Sequence, residues 1–302
     1  MCVTCGCSDE AEPKIINPET GEVENLHSYT HSHNNNNHDN NHHHEHHHTH
    51  VLADGTVITH SHHHDLPNGQ KNTHVHHSHT PEIHAKVHGT TISLEQEVLA
   101  KNNLLAAQNR GWFKGRNILA LNLMSSPGSG KTTLLTRTLN DLKYELNFSV
   151  IEGDQETIND AEKIKETGCQ VVQINTGTGC HLDAEMVERG LQQINPPLNS
   201  VVMIENVGNL VCPALFDLGE QAKVVILSVT EGEDKPIKYP HIFRASDIMI
   251  LTKIDLLPHV QFDVNRCIQY ALEVNPNIQI FQVSALTGTG LDNWYQWLKK
   301  QR

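Results

Sequence analysis

Leu119-Ala-Leu-Asn-Leu-Met-Ser125-Ser-Pro-Gly128-Ser129-Gly130-Lys131-Thr132-Thr133-Leu-Leu135 is the stretch whose reading decides the fold. Its first half is an apolar run of the kind a buried strand needs. The run stops at Ser125, a Gly/Ser/Pro loop follows, and Lys131-Thr132-Thr133 opens a helical pattern. Strand, glycine-rich loop and helix in that order are the setting of a phosphate-binding P-loop. Across Gly128, Ser129 and Gly130 successive backbone N–H groups can curl around an anion, and the helix N-terminus adds the positive end of its dipole. Lys131 then reaches the β- and γ-phosphates, the Thr132 hydroxyl sits on Mg²⁺, and Thr133 completes the cradle. The pattern G-x-x-x-x-G-K-[ST] begins with Gly where this chain has Ser125. A glycine-rich turn before an ordinary helix is the plain alternative, and the strand and helix on either side weigh against it.

Outward from this loop, apolar runs alternate with helical patterns. Strands are expected at 118–124, 148–152, 170–174, 200–205, 223–229, 247–251 and 278–283, and helices at 132–146, 158–167, 182–193, 262–274 and 291–300. Near-continuous apolar strands alternating with helices predict an α/β fold with a doubly wound, mostly parallel sheet. Ligands in that architecture sit at the carboxyl ends of strands, and every further motif falls at such an end.

Glu152-Gly-Asp154 closes the second strand, where Asp154 can hold Mg²⁺ directly or through water. Glu205-Asn-Val-Gly208 closes the fourth, an E-x-x-G where GTPases usually carry D-x-x-G, the turn whose glycine N–H senses a γ-phosphate. Leu251-Thr252-Lys253-Ile-Asp255 resembles the guanine-reading N-K-x-D with Thr252 in place of Asn. Asp255, accepting from guanine N1–H and the exocyclic amine, excludes adenine, because a base without those donors leaves a buried carboxylate unpaired. Ser284-Ala285 after the last strand places a backbone N–H near guanine O6.

A second constellation follows the third strand. Thr176-Gly-Thr-Gly179-Cys180-His181 opens a helical pattern, and Cys212 lies four residues beyond Gly208. If the two strand ends are adjacent, Cys180, His181 and Cys212 meet as a Zn²⁺ or Ni²⁺ site with an open fourth position, and a helix N-terminus favours the Cys180 thiolate. The bland alternative makes Cys212 a small buried hydrophobe and His181 a helix-start residue. Cys169 and Cys267 read as core thiols.

The N-terminal third has another character. All but three (His181, His241 and His259) of the 24 histidines lie between His27 and His88. Residues 9–92 are polar and without period, too poor in apolar groups to offset chain entropy, and are expected to be disordered. Imidazole-rich tracts bind nickel, copper and zinc, so a metal store is favoured over an inert linker or a tag. Residues 1–8 form a head with Cys2, Cys5 and Cys7 in C-x-x-C-x-C spacing, able to wrap one metal ion, planar for Ni²⁺ or tetrahedral for Zn²⁺. Ser93-Leu-Glu-Gln96 fits a capping box at the start of a helix with Leu94, Val98, Leu104 and Leu105 on one face, ending at Gly111. Residues 93–116 are thus expected to pack on a nucleotide-binding domain of residues 117–302, or on a partner subunit.

The formal charge of −13 and the absence of a Lys/Arg stripe argue against nucleic acid as the partner. No apolar run reaches the ~18 residues of a membrane span, and the start Met1-Cys-Val-Thr lacks the basic and apolar regions of a signal peptide. Seven cysteines without export signals read as thiols or metal ligands. A cytoplasmic protein that spans no membrane is expected.

Taken in order, Ser125-Ser-Pro-Gly-Ser-Gly-Lys-Thr132, Glu152-Gly-Asp154, Gly179-Cys-His-Leu-Asp183, Glu205-Asn-Val-Gly-Asn209 and Thr252-Lys-Ile-Asp255 resemble the HypB family of hydrogenase nickel-incorporation GTPases over residues 93–302. The cysteine head and histidine tract are similar to those of its elaborated members. The resemblance implies a SIMIBI-like P-loop GTPase, GTP and GDP with Mg²⁺ at the nucleotide site, Ni²⁺ and Zn²⁺ at the metal sites, and a homodimer. It also implies handover of nickel to the hydrogenase large-subunit precursor with a HypA-type nickel chaperone. No catalytic base is evident, since Gln155 or Asp154 could only position water. Slow turnover completed by a partner is therefore expected. Lys235 is a candidate charge supplied across a dimer, or an ordinary solvent lysine. The Gly208–Cys212 tether is expected to couple nucleotide state to metal affinity. The rivals are a urease-type nickel accessory GTPase, a nickel-storage protein, and an ATP-using enzyme, against which Asp255 stands.

Overall fold

The computed structural model describes residues 14–18, 21, 23–25, 47–51, 57–61, 81–154 and 159–301. The Cys2, Cys5 and Cys7 head, Gln155 and most of the histidine tract lie outside the described residues. In chain order the elements are β1 (Lys14–Ile16), β2 (Val23–Asn25), β3 (His47–Val51), β4 (Val57–Ser61), α1 (Pro81–Gly115), β5 (Leu119–Ser125), α2 (Lys131–Leu142), β6 (Phe148–Asp154), α3 (Asn159–Lys165), β7 (Gln170–Asn175) and α4 (Ala184–Ile194). They continue as β8 (Val201–Glu205), α5 (Cys212–Leu215), β9 (Ala222–Ser228), α6 (Lys235–Lys238), α7 (Pro240–Ala245), β10 (Ile248–Thr252), a 3-10 segment (Ile254–His259), α8 (Val264–Val274), β11 (Gln279–Gln282) and α9 (Leu291–Lys300).

The central sheet runs β11-β10-β9-β5-β8-β6-β7-β1-β2. From β11 to β7 all neighbours are parallel. β1 joins β7 antiparallel, and β2 joins β1 antiparallel. This is the doubly wound, mostly parallel α/β sheet the apolar runs predict, with the P-loop strand β5 at the middle of its seven parallel strands.

The period of two along β5 sorts its side chains onto two layers. Leu119, Leu121 and Leu123 pack with Leu134, Leu135 and Leu139 of α2, Ile164 of α3, and Trp294 and Leu298 of α9. On the other face Ala120 joins Phe113 of α1 with Val187 and Leu191 of α4. Met124 meets Ile242 and Phe243 of α7 and Cys267 of α8. With both faces covered, a strand needs apolar residues at successive positions, which is why these runs are continuous and not alternating.

Helix α1 is pinned by polar groups on its buried side. Asn109 Nδ2 donates to Ala184 O at 2.8 Å and to Leu218 O at 3.1 Å. Asn102 accepts from Ala184 N at 2.9 Å and donates to Asp217 O at 2.8 Å. Arg110 reaches both Asp217 oxygens at 2.6 and 2.8 Å. Gly219, at φ +88°, lets this approach happen, since a Cβ there would lie 2.5 Å from Ala106 O.

Several expectations need correction. The helix does not start at a Ser93 cap: α1 is continuous from Pro81, a residue whose fixed φ suits a first helical position. The expectation of no regular structure over 9–92 gives way at β1 and β2, where Ile15 is fully buried against the β7 edge. Three-residue strands are too short to leave a periodic signal. Tyr29–Lys86 forms a second compact unit, whose described part includes the hairpin β3–β4 with His48 opposite His60.

Replacing Asn109 with Ala leaves two buried carbonyls without their donor. We expect Asn109→Ala to lower unfolding free energy by about 1–3 kcal/mol, read as a drop in urea midpoint at unchanged slope.

Candidate functional site

Gly128 (φ 76°) and Gly130 (φ 90°) bend the loop between β5 and α2 through left-handed conformations, which glycine adopts without steric cost. The loop walls a cleft of about 480 Å³ lined also by Thr133, Asp154, Asp160, Lys163, Gly208 and Lys253. Lys131 Nζ lies 2.7 Å from Glu205 Oε1, and Thr132 Oγ1 donates to the same oxygen at 2.6 Å. Thr132 Oγ1 is also 3.2 Å from Asp160 Oδ2. Glu205 is fully buried, and its Oε2 and the Oε2 of buried Glu152 have no hydrogen-bond partner among the described residues.

The cleft is therefore rich in hard oxygen donors and short of positive charge. Burial pushes Glu152 up to about 9, helped by repulsion from Glu205 and Asp154 and opposed by Lys131. A threonine hydroxyl with carboxylates around it and two buried carboxylate oxygens left unbonded is a donor set that fits Mg²⁺.

Of the guanine-reading candidates, Lys253 lines this cleft, while Thr252, Asp255, Ser284 and Ala285 fall on the neighbouring strand ends outside its lining. Thr252, which stands where Asn is usual, donates from its hydroxyl to Ser129 O at 2.6 Å. Lys253 Nζ donates to Gly128 O at 2.7 Å. The strand end is thus bonded to the P-loop by both residues of the Thr-Lys pair. Asp255 lies in the 3-10 segment after β10, and Ile254 N bonds Val283 O at 3.3 Å, which brings the Ser284-Ala285 loop alongside.

Cys180, His181 and Cys212 come together, with their donor atoms all within 4.8 Å of one another. Cys180 Sγ and His181 Nδ1 are 3.6 Å apart. The His181 ring stacks on Phe216 at 3.9 Å between centroids. Burial lowers the His181 pKa to about 4, which keeps the imidazole neutral, the form that ligates metal. Two thiols and a neutral imidazole suit Zn²⁺ or Ni²⁺.

How they meet differs from the expectation. β7 and β8 are not neighbours, because β6 lies between them. The segment after β7 crosses the end of β6 at Gly153, where a Cβ would lie 2.7 Å from Leu182 Cγ. Nor does Cys180 open a helix: α4 begins at Ala184, capped by Asp183, whose side chain accepts from Met186 N. Cys212 is instead the residue that begins a short helix, α5.

Asp160 contributes to the site without a motif to announce it, and Glu152, inside the quoted Glu152-Gly-Asp154, contributes a buried carboxylate beside Asp154. Lys235 turns toward Glu231 of its own chain at 3.6 Å, and Glu231 in turn accepts from P-loop Ser126. Cys267 is a fully buried core thiol whose pKa burial pushes up to about 12. Cys169 is half-buried and donates to Phe148 O. No helix among the described residues is long and apolar enough to cross a membrane.

Residues 119–282 match the family model described as the CobW/HypB/UreG nucleotide-binding domain. The hydrogenase maturation factor HypB of Rhizobium leguminosarum bv. viciae is 58% identical over 208 residues, 69% of this chain and 70% of that protein. The crystal structure of HypB from Archaeoglobus fulgidus superposes with a TM-score of 0.63 at 38% identity, covering 67% of this chain and 98% of that one. That of HypB from Helicobacter pylori in complex with nickel gives 0.63 at 37%, covering 67% and 94%.

Glu152 gives the site a pH signature. Its folded pKa of about 9 exceeds the usual 4.5, so the fold loses stability as pH rises through that window, where only the folded state holds the proton. We expect Glu152→Gln to gain on the parent protein in thermal midpoint as pH goes from 5 to 9, with no gain at pH 4.

Proposed function

Because this chain belongs to the HypB hydrogenase maturation factors of the CobW/HypB/UreG nucleotide-binding family, we propose that it is a GTP-hydrolysing nickel metallochaperone. Its reaction is GTP and water to GDP and phosphate, and its cargo is nickel bound for the large-subunit precursor of a [NiFe]-hydrogenase. A HypA-type chaperone, a homodimeric form and a cytoplasmic setting belong to the same reading, with zinc as the competing occupant of the metal sites.

One observation carries it. The segment from Glu205 to Cys212 begins at the residue that takes Lys131 and Thr132 and ends at a thiol of the Cys180/His181/Cys212 cluster. In this reading Lys131 and the N–H groups of Gly128–Thr133 bind the β- and γ-phosphates. Thr132, Asp154 and Glu205 hold Mg²⁺, which when bound neutralises charge on the phosphate oxygens. Gly208 senses the γ-phosphate, and its place against Pro127 of the P-loop, 3.1 Å from a would-be Cβ, supports that role. Asp255 reads the guanine edge, with Lys253, Ser284 and Ala285 around the base.

Hydrolysis needs a water in line with the β–γ bond. Among the described residues no side chain offers a strong base at that point, and in this reading turnover is slow until a partner completes the site. Nickel as cargo is supported by the softness of two thiolates and an imidazole. It is supported too by the nickel complex of the Helicobacter pylori relative. Cys2, Cys5 and Cys7, with the histidine tract, would supply further nickel.

Two measurements test this. Asp255→Ala should cut the preference for GTP over ATP by about 100-fold or more in a competition assay, and a parent protein that hydrolyses ATP as readily as GTP overturns the reading. Cys212→Ala should lower nickel affinity at the cluster more than tenfold, about 1.4 kcal/mol, while GTP affinity holds, in a chain whose Cys2, Cys5 and Cys7 are all Ala.

A further inference from the structure

We propose that Asn206 is the positioning residue that links the phosphate cleft to the thiol–imidazole cluster, by holding the segment after His181 in register with the turn after Glu205. The proposal rests on the functional reading above and names the part that transmits between its two sites.

Asn206 is fully buried and follows Glu205 directly. Its backbone N–H bonds Leu123 O at 3.0 Å, so it continues the β8 ladder against β5. Its side chain forks three ways. Oδ1 accepts from Leu182 N at 3.0 Å and from Val207 N at 3.0 Å, while Nδ2 donates to Asn122 Oδ1 at 3.2 Å. One amide thus ties together the residue after His181, the turn leading to Gly208, and the P-loop strand.

Leu182 makes this link stiff. It is fully buried, and its side chain rests on Gly153, between Glu152 and Asp154, with no room for a Cβ. At the other end Gly208 abuts Pro127. A turn drawn toward a γ-phosphate must carry Asn206 with it, and through a single N–H···O bond it shifts the segment that holds His181. The covalent path through Asn209 and Leu210 moves Cys212. The cluster is gripped from two sides by one turn, so its ligand spacing follows nucleotide state.

A buried asparagine that only satisfies backbone groups would stabilise the fold and do no more. The two roles separate in a ratio. In the full chain with Cys2, Cys5 and Cys7 replaced by Ala, nickel is titrated in GDP and in a non-hydrolysable GTP analogue, followed by the thiolate-to-nickel charge-transfer absorbance, to which imidazole-only sites do not contribute. The parent protein should show affinities differing by about tenfold between the two nucleotides. Nickel should change the preference for analogue over GDP by the same factor, because the coupling is reciprocal.

Asn206→Ala should bring both ratios to within about twofold of unity while the protein still binds nickel and nucleotide. A structural role alone lowers the melting temperature and leaves the ratios. Should that variant fail to fold, Asn206→Ser gives the same reading, since its short hydroxyl stays near Val207 N and ends short of Leu182. Retained ratios in a folded Asn206 variant overturn this proposal alone. Equal nickel affinities in the parent protein overturn the coupled reading and the proposal with it.

Discussion

The arrangement of both sites depends on the Cβ that residue 153 lacks. In the sheet order β6 separates β7 from β8, so the segments carrying Cys180–His181 and Cys212 can meet only if one passes over the end of β6. It passes at Gly153, with Leu182 where a side chain would otherwise stand. Any larger residue would lift Leu182 away from Asn206 and open the cluster. The crossing is then locked from outside. Asn102 and Asn109 of α1 hold Ala184, just beyond the crossing, together with Asp217 and Leu218, just beyond Phe216. The helix before the nucleotide domain is thus the clamp that sets the mouth of the thiol–imidazole cluster.

Electrostatics fixes what the neighbouring cleft accepts. Glu152, Asp154, Asp160 and Glu205 surround Lys131 and Thr132, and Lys163 is engaged with Asp160 at 2.7 Å. Buried carboxylates without partners are costly, and the site relieves this by keeping Glu152 protonated. In the proposed reading a phosphate would bring more negative charge and would enter with a divalent cation. The phosphate would compete with Glu205 for Lys131 and free that carboxylate for the cation. Loading the cleft would then change the partners of Glu205, the residue next to Asn206.

The parts of this that sequence made legible are those with local signatures. The inner strands show because both faces are covered and most positions are apolar. The P-loop shows because Gly128 and Gly130 must adopt positive φ between a strand and a helix. Three-residue strands such as Lys14–Ile16 carry no period. Strand order is a property of the whole sheet, which is why the adjacency of β7 and β8 was misjudged although the three ligands meet. Asp160 and Asn206 act through contacts with residues far off in the chain, and no spacing rule marks them. Thr252 stands where the guanine-reading motif usually has Asn, and its hydroxyl bonds the P-loop at Ser129 O, a contact that the motif's spacing does not announce.

A limit on transmission follows from the chemistry of the links. A hydrogen bond cannot pass on more free energy than breaking it costs, about 1–3 kcal/mol for a buried N–H left unsatisfied. Allosteric coupling energies of about 1–3 kcal/mol are typical, so the Asn206–Leu182 bond is of the right size and has no margin beyond it. The covalent run from Glu205 to Cys212 has no such ceiling, but its intervening torsions make it softer. A cluster with one thiol on the compliant covalent path and the imidazole on the stiff hydrogen-bonded path changes shape when the turn moves. For a transition-metal ion, whose binding depends on the geometry and the ligand types a site offers, such a change of shape would be enough to change affinity.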